Sequence, residues 1–392
     1  MAFVAVGGGW DGSPMLTRGQ VLAYRAAAAG LSGPAAGPGA VLAVGVQDHP
    51  AGTTARLAVA LRGDGDHGDH GDGDHGDGGD GVLVHSVRAA LHLHRIDDLG
   101  LLAGALHIDD GAALAKQAIS PFGAEIGAAF GAAVDEVAGV MRDVMADGER
   151  RTKGELSGAV SPRVTPALAP WCGGCGVHHV QDALFRYATL QAGLIADVES
   201  AQVFRYRQAP AGACRTVAVA DARAELVRRY VHVAGPVRPA HLATWLSLTP
   251  AAARDWWALA ESELTEVEAG GRRGSVLAAD VAALEDPPEP DELRLLGPYD
   301  PLTELADREL VLPDAGRRTQ VWAAAANPGI VLHAGEIVAT WRRRTARGRL
   351  TLTAAPFGPL PRGWSSTESV RADADVIGRS FGASEVRIET AS

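Results

Sequence analysis

The chain has 392 residues, 47% of them hydrophobic and only 5% aromatic, with a formal net charge of −11. That length accommodates two to four small domains. Three cysteines, an odd number, argue against a disulfide framework and for a reducing compartment. No basic region precedes the first apolar residues and no apolar run is long enough to cross a bilayer, so the expected location is the cytoplasm.

The negative charge weighs against a polyanionic partner. Much of it sits in one place, however. Gly63 to Gly81 holds seven aspartates and no lysine or arginine, and the remainder has 36 basic against 40 acidic residues. A near-neutral body can still present a basic face. The tract itself reads as a flexible, solvated insertion. Its Asp-x-Asp spacing suits calcium but lacks the closing glutamate of an EF-hand loop, and its histidines offer only weak transition-metal binding.

In chain order, Thr17-Arg18-Gly19-Gln20 fits a capping box that opens a helix ending near Gly30. Val41 to Arg62 then delivers Gln47, Asp48 and His49 to the end of an apolar run. Pro50 and Gly52 break the chain there, and Thr53 or Thr54 can cap a new helix. Three polar side chains beside a sharp bend between packed elements form a candidate catalytic constellation. After a strand at Val82 to Val84 comes Arg88 to Arg95. Its alternating His92 and His94 share one face of an extended segment, as phosphate donors, metal ligands or ordinary hydrogen-bonded histidines. Ala112 to Ala146 reads as helical, and Thr152 to Glu155 is a second capping box.

Cys172-Gly173-Gly174-Cys175 followed by His178 and His179 can place soft ligands around a structural zinc. Cys172, Cys175 and His178 are the expected ligands, with Cys214 a candidate fourth. The alternative is reduced thiols in a tight turn. No other cofactor is required.

Arg223 to Val233, a segment from Pro239 and one from Pro250 with Thr249 as cap read as three short helices with tight turns. Leu264 to Val267 and Ser275 to Leu277 read as strands around the tip Gly270-Gly271-Arg272-Arg273-Gly274. A hairpin with a basic tip after such helices is a wing, so Arg254 on the third helix and Arg272 and Arg273 are candidate DNA contacts. Past the linker Asp286 to Pro290, strand-like segments at Leu293–Leu296, Ile330–Leu332, Ile337–Trp341 and Leu350–Leu352 suggest a small β domain with a basic patch that includes Arg342 and Arg343. A last helix lies near Ser369 to Phe381.

Several pieces together resemble the bacterial winged-helix DNA glycosylases of the AlkZ-like family, which includes crosslink-repair enzymes. They are Leu16-Thr17-Arg18-x-Gln20-Val21-Leu22, the Gln47-Asp48 turn, Arg88-x-x-Leu91-His92, Leu226 to Tyr230 with Gly235-Pro236, Leu295 to Asp300 with Asp307-Arg308, and Gly335 to Trp341. The resemblance implies an α+β fold of tandem winged-helix (helix-turn-helix) units with a C-terminal small β-barrel-like domain. It divides the chain into 1–62 with 82–150, the insertion 63–81, then 151–220, 221–285 and 291–392. It implies hydrolysis of the N-glycosidic bond of alkylated or crosslinked purines in double-stranded DNA, by a monomer at the nucleoid. The family's catalytic motif is Gln, an apolar or small residue, then Gln or Asp. Set on Gly45-Val46-Gln47, it retains its last position and has glycine at its first. The expected catalytic residues are therefore Gln47 and Asp48, with His49, Arg88 and His92 in support. The competing readings are a non-catalytic winged-helix regulator or lesion-shielding factor, and a zinc-stabilised assembly module.

Overall fold

Both capping boxes form. Thr17 opens α1 (Arg18–Ala28): its hydroxyl accepts from the Gln20 amide, and Gln20 Oε1 accepts from the Thr17 amide at 2.8 Å. These observations come from a computed structural model, which describes residues 15–33, 36–63, 81–115, 126–200, 203–290, 293–305, 307–323 and 326–391. The aspartate-rich tract from Asp64 to Asp80 lies outside the described residues, as do positions 116–125 of the segment read as helical.

Before α1, β1 (Met15–Leu16) runs parallel to a later hairpin; after it come α2 (Gly39–Val44), β2 (Val46–Gln47) and α3 (Thr54–Ala60). Next are β3 (Val82–His85), β4 (Leu91–His94), α4 (Leu99–Ala105), α5 (Phe130–Val144), β5 (Arg151–Thr152) and α6 (Lys153–Val160). Thr152 caps α6 in the second box, with Glu155 returning the bond. A two-stranded hairpin, β6 (Trp171–Cys172) and β7 (Val177–His178), leads to α7 (Asp182–Gln191), β8 (Leu194–Val198) and β9 (Phe204–Gln208). A six-stranded sheet in the order β2-β4-β3-β8-β9-β5 draws its strands from across this whole stretch, and every pair is antiparallel.

The three helices read from the sequence are α8 (Val219–Ala234), α9 (Pro239–Leu246) and α10 (Pro250–Ala258), the last capped by Thr249 with Pro250 in its first turn. Tyr230 of α8 stacks on Trp245 of α9 with ring centroids 4.7 Å apart, which fixes the pair. The hairpin β10 (Leu264–Ala269) and β11 (Arg272–Leu277) follows, then α11 (Val281–Glu285). Its strands run farther than the sequence reading placed them. They close on Gly270-Gly271 alone, both at positive φ, as a two-residue hairpin turn requires. Arg272 and Arg273 are therefore strand residues beside the turn.

The C-terminal part has β12 (Leu293–Leu296), the short helices α12 (Pro301–Glu304), α13 (Arg308–Val311) and α14 (Ala315–Val321), then β13 (Gly329–His333), β14 (Glu336–Ala346) and β15 (Arg349–Pro356). Helix α15 (Glu368–Ser380) precedes β16 (Glu385–Thr390). The order β12-β13-β14-β15-β16 makes a sheet that curls into a half-barrel, antiparallel except for its last pair. Its core includes Leu295, Val331, Trp341, Leu352 and Ile377, and Leu57 of α3 and Leu61 just after it reach into it. The chain is thus a mixed α and β protein. Among the described residues no helix is long and apolar enough to cross a membrane.

Charged side chains tie distant segments together. Arg18 of α1 pairs with Glu336 of β14 and donates to the carbonyls of Leu310 and Val311. Arg25 is 1% exposed and donates to the carbonyls of Gly235 and Pro236 at 3.1 and 3.0 Å. Arg62 and Asp300 form a two-bond pair at 2.8 Å, with both side chains fully buried.

The β3–β4 pair buries three histidines. His85 bonds Tyr206 at 2.9 Å, His94 bonds Ser86 at 2.8 Å, and His92 Nδ1 lies 3.0 Å from the Ala90 carbonyl. Burial pushes His85 and His94 down to about 4 and holds His92 well below its ordinary value. The unfolded chain takes up these protons near pH 6.5 and the folded one does not, so stability falls as pH drops from about 6.5 towards 4. Full expression of the effect is worth roughly 3 kcal/mol for each of His85 and His94. Urea midpoints measured across that window should decline with falling pH, and the decline should be shallower in His94→Asn. A flat midpoint would contradict the neutral, sealed state of these rings.

Candidate active site

Gly45 ends α2 at φ +90°, a conformation L side chains rarely adopt. A Cβ placed there would stand 2.2 Å from Cε1 of His94. The departure from the family motif therefore has a physical basis, because the His94 ring fills the space into which a side chain at 45 would project.

Two residues on, β2 pairs with β4 so that Gln47 stands opposite His92. Asp48 follows and turns inward. It is 4% exposed, and its carboxylate accepts from the backbone amides of Gly52, Thr53, Thr54 and Ala55. Thr53, at the head of α3, makes no side-chain cap, so Asp48 caps that helix from five residues upstream. Three of these donors converge on Oδ1 and one on Oδ2, so the carboxylate is turned to capping the helix. Thr54 completes the bend, accepting from the His49 amide at 2.9 Å and donating to the Gln47 carbonyl at 3.1 Å. His49 is exposed, and its ring meets Tyr299 edge-on at 5.3 Å.

Gln47 is half-buried, and its amide oxygen accepts from Arg88 Nη2 at 2.6 Å. Arg88 is held at φ +57° in the turn before β4, and its Nη1 donates to the Trp245 carbonyl at 2.7 Å. The same Nη2 lies 4.0 Å from Glu304 Oε2. Burial raises Glu304 above the usual carboxylate range, against the opposing charges of Arg88 and Arg308, and burial lowers Arg88. Asn327 reaches the other Glu304 oxygen at 3.5 Å. The result is an amide, a guanidinium and a carboxylate in line, gathered from β2, the β3–β4 turn and α12.

His92 stands opposite Gln47 on β4, 3% exposed, with its Nδ1 on the Ala90 carbonyl and its Nε2 without a hydrogen bond among the described residues. Other expected site residues lie elsewhere. Arg254 is exposed on α10. Arg272 is engaged by Glu309 at 2.6 Å and Asp307 at 3.7 Å rather than offered to solvent alone, and Arg273 is exposed. Arg342 donates to the Ala326 carbonyl, and Arg343 lies 3.8 Å above the Phe381 ring; both are exposed. Cys172 and Cys175 come together with His179, not with His178, and Cys214 is outside the group. Glu304 was missed by sequence reasoning. It lies between two pieces that carried the resemblance, Leu295 to Asp300 and Asp307-Arg308, and nothing in local pattern separates it from a surface glutamate.

The model of one protein family, described as "DNA glycosylase AlkZ-like", matches residues 41–380. Its description defines the class: the protein is a DNA N-glycosylase, an enzyme that releases bases from DNA in repair. The chain belongs to the AlkZ-like DNA glycosylase family. In fold it is similar to the Streptomyces sahachiroi DNA glycosylase AlkZ, with a TM-score of 0.69 and 22% identity, over 96% of this chain and 99% of that one. No curated protein sequence matches it.

Proposed function

We propose that the enzyme excises N3- or N7-alkylated purines, crosslinked ones included, from double-stranded DNA, with Gln47 and Glu304 at the reaction centre. Alkylation there puts positive charge on the base, which then leaves as a neutral molecule without a general acid. What remains is to stabilise an oxocarbenium-like sugar and to deliver water to it. Gln47 is suited to orient that water because Arg88 clamps its oxygen and leaves the amide nitrogen for a ligand. Glu304 supplies negative charge beside the cation and a raised proton affinity for the proton the water loses. Asp48 serves as a positioning residue that holds the bend.

The observation that carries this reading is the Arg88 clamp between Gln47 and Glu304. We read α8, α9 and α10 with the β10–β11 hairpin as a winged helix against DNA, one of the tandem units the resemblance implies. Arg272 would have to leave two carboxylates to reach a phosphate. The phosphate contacts are therefore assigned to Arg254, Arg273, Arg342 and Arg343. The protein acts as a monomer in the cytoplasm, at the nucleoid.

A duplex with one 7-alkylguanine tests the reading. Incubation should leave an abasic site that alkali cleaves at that position. A duplex that is bound but stays intact through alkali would support a shielding factor instead.

A further inference from the structure

We propose that Cys172, Cys175 and His179 bind one zinc ion, which staples the β6–β7 hairpin. The ligand atoms of these three residues all lie within 4.8 Å of one another. The imidazole is already set for a metal. Its Nδ1 bonds the Val180 carbonyl at 2.7 Å, which fixes the tautomer and leaves Nε2 as the free lone pair. A metal-bound histidine carries this same outer bond to a carbonyl. Nε2 itself is sealed from solvent and faces the Cys172 thiol. A sealed ring nitrogen whose neighbours are two thiols has only a weak donor for its lone pair, and a metal ion satisfies all three groups better.

The hairpin supplies an independent argument. β6 and β7 have two residues each, and Trp171, Cys175 and Val177 are exposed. Trp171 is 61% and Val177 51% exposed, so the unit has no apolar core of its own. A two-stranded hairpin of that kind does not hold its shape in water without a staple. The turn has the form a staple needs. Gly176, at φ +66°, returns its amide to the Cys172 carbonyl at 2.8 Å and bends the chain so that both sulfurs face one point.

Two thiolates and one imidazole select zinc over hard cations. Each thiol gives up its proton as the metal binds, so loading releases protons to solvent. With three protein ligands the fourth tetrahedral position takes a water molecule. Cys214 is not the fourth ligand; its sulfur lies beside Gly193. His178 has its Nδ1 on the Ala169 carbonyl and its ring against Trp171.

The test is metal analysis of the reduced full-length protein, with cobalt(II) titration as an optical readout. One zinc per chain is expected. Cobalt should give thiolate-to-metal charge-transfer absorption, and His179→Ala should weaken binding about tenfold or more, while His178→Ala and Cys214→Ser keep it. Chelation should speed hydrogen exchange at the Gly176 amide and leave the β3–β4 amides unchanged, a readout that does not depend on excision. Should His179→Ala fail to fold, the wild-type cobalt spectrum and exchange data decide alone. The proposal is overturned if reduced wild-type protein takes up no cobalt, or if His178→Ala rather than His179→Ala abolishes the spectrum.

Discussion

Gln47→Ala is expected to slow single-turnover excision of a 7-alkylguanine by about a hundredfold, the size of a lost proton-transfer or water-positioning group, with DNA affinity little changed. Gln47 is half-buried in a two-residue strand, and among the described residues its side chain bonds Arg88 alone, so the loss is chemical rather than structural. Glu304→Gln should cost a comparable factor and also change the shape of the pH–rate profile. In the wild type the rate should climb with pH as Glu304 ionises, at a pH above that of an ordinary glutamate, because burial raises its proton affinity. The amide variant should lose that limb. A wild-type limb that persists unchanged in Glu304→Gln would assign the ionisation to another group.

Arg62→Ala should produce the largest loss of stability in the molecule, about 3–5 kcal/mol, because it leaves a carboxylate buried without its counter-charge. Asp300 and Arg62 are both sealed, and the guanidinium also donates to the Ala29 and Ala58 carbonyls. The pair joins the segment after α3 to the start of α12, and α12 carries Glu304. Asp300→Ala should be similarly severe, since the carboxylate also accepts from the Leu302 amide at the head of that helix. Arg62→Lys should recover little, because an ammonium cannot make the two parallel bonds. Urea unfolding measures this directly. A change below about 1 kcal/mol, the scale of an exposed pair, would show that the site is hydrated.

Local signals carried well from sequence to structure. Thr17 with Gln20, Thr152 with Glu155 and Thr249 with Pro250 all begin helices, because each depends on side chains within one turn. Leu293 to Leu296 forms a strand with the bounds its apolar pattern gave. Long-range partnership was not legible. Asp48 resembles a catalytic carboxylate in a list of residues, and only the fold turns it onto four backbone amides that lead into the next helix. Arg272 resembles a free basic tip until Asp307 and Glu309 come beside it. Glu304 gains meaning only when Arg88 is brought to it. The pieces that carried the resemblance do meet in space: Arg18 reaches Glu336, and Arg88, four residues ahead of His92, approaches Glu304 between Asp300 and Asp307. Their spacing along the chain reflects these contacts, although no local rule states them.

The central claim is that Gln47, clamped by Arg88, does chemistry while its neighbour Asp48 only holds the bend. Single-turnover formation of alkali-labile sites, compared among wild type, Gln47→Ala and Asp48→Asn on one alkylated duplex, separates the two roles. The account predicts a loss of about a hundredfold for Gln47→Ala, and for Asp48→Asn a rate within a few-fold of wild type together with a lower urea midpoint. Full activity in Gln47→Ala, with activity abolished in a folded Asp48→Asn, would contradict it.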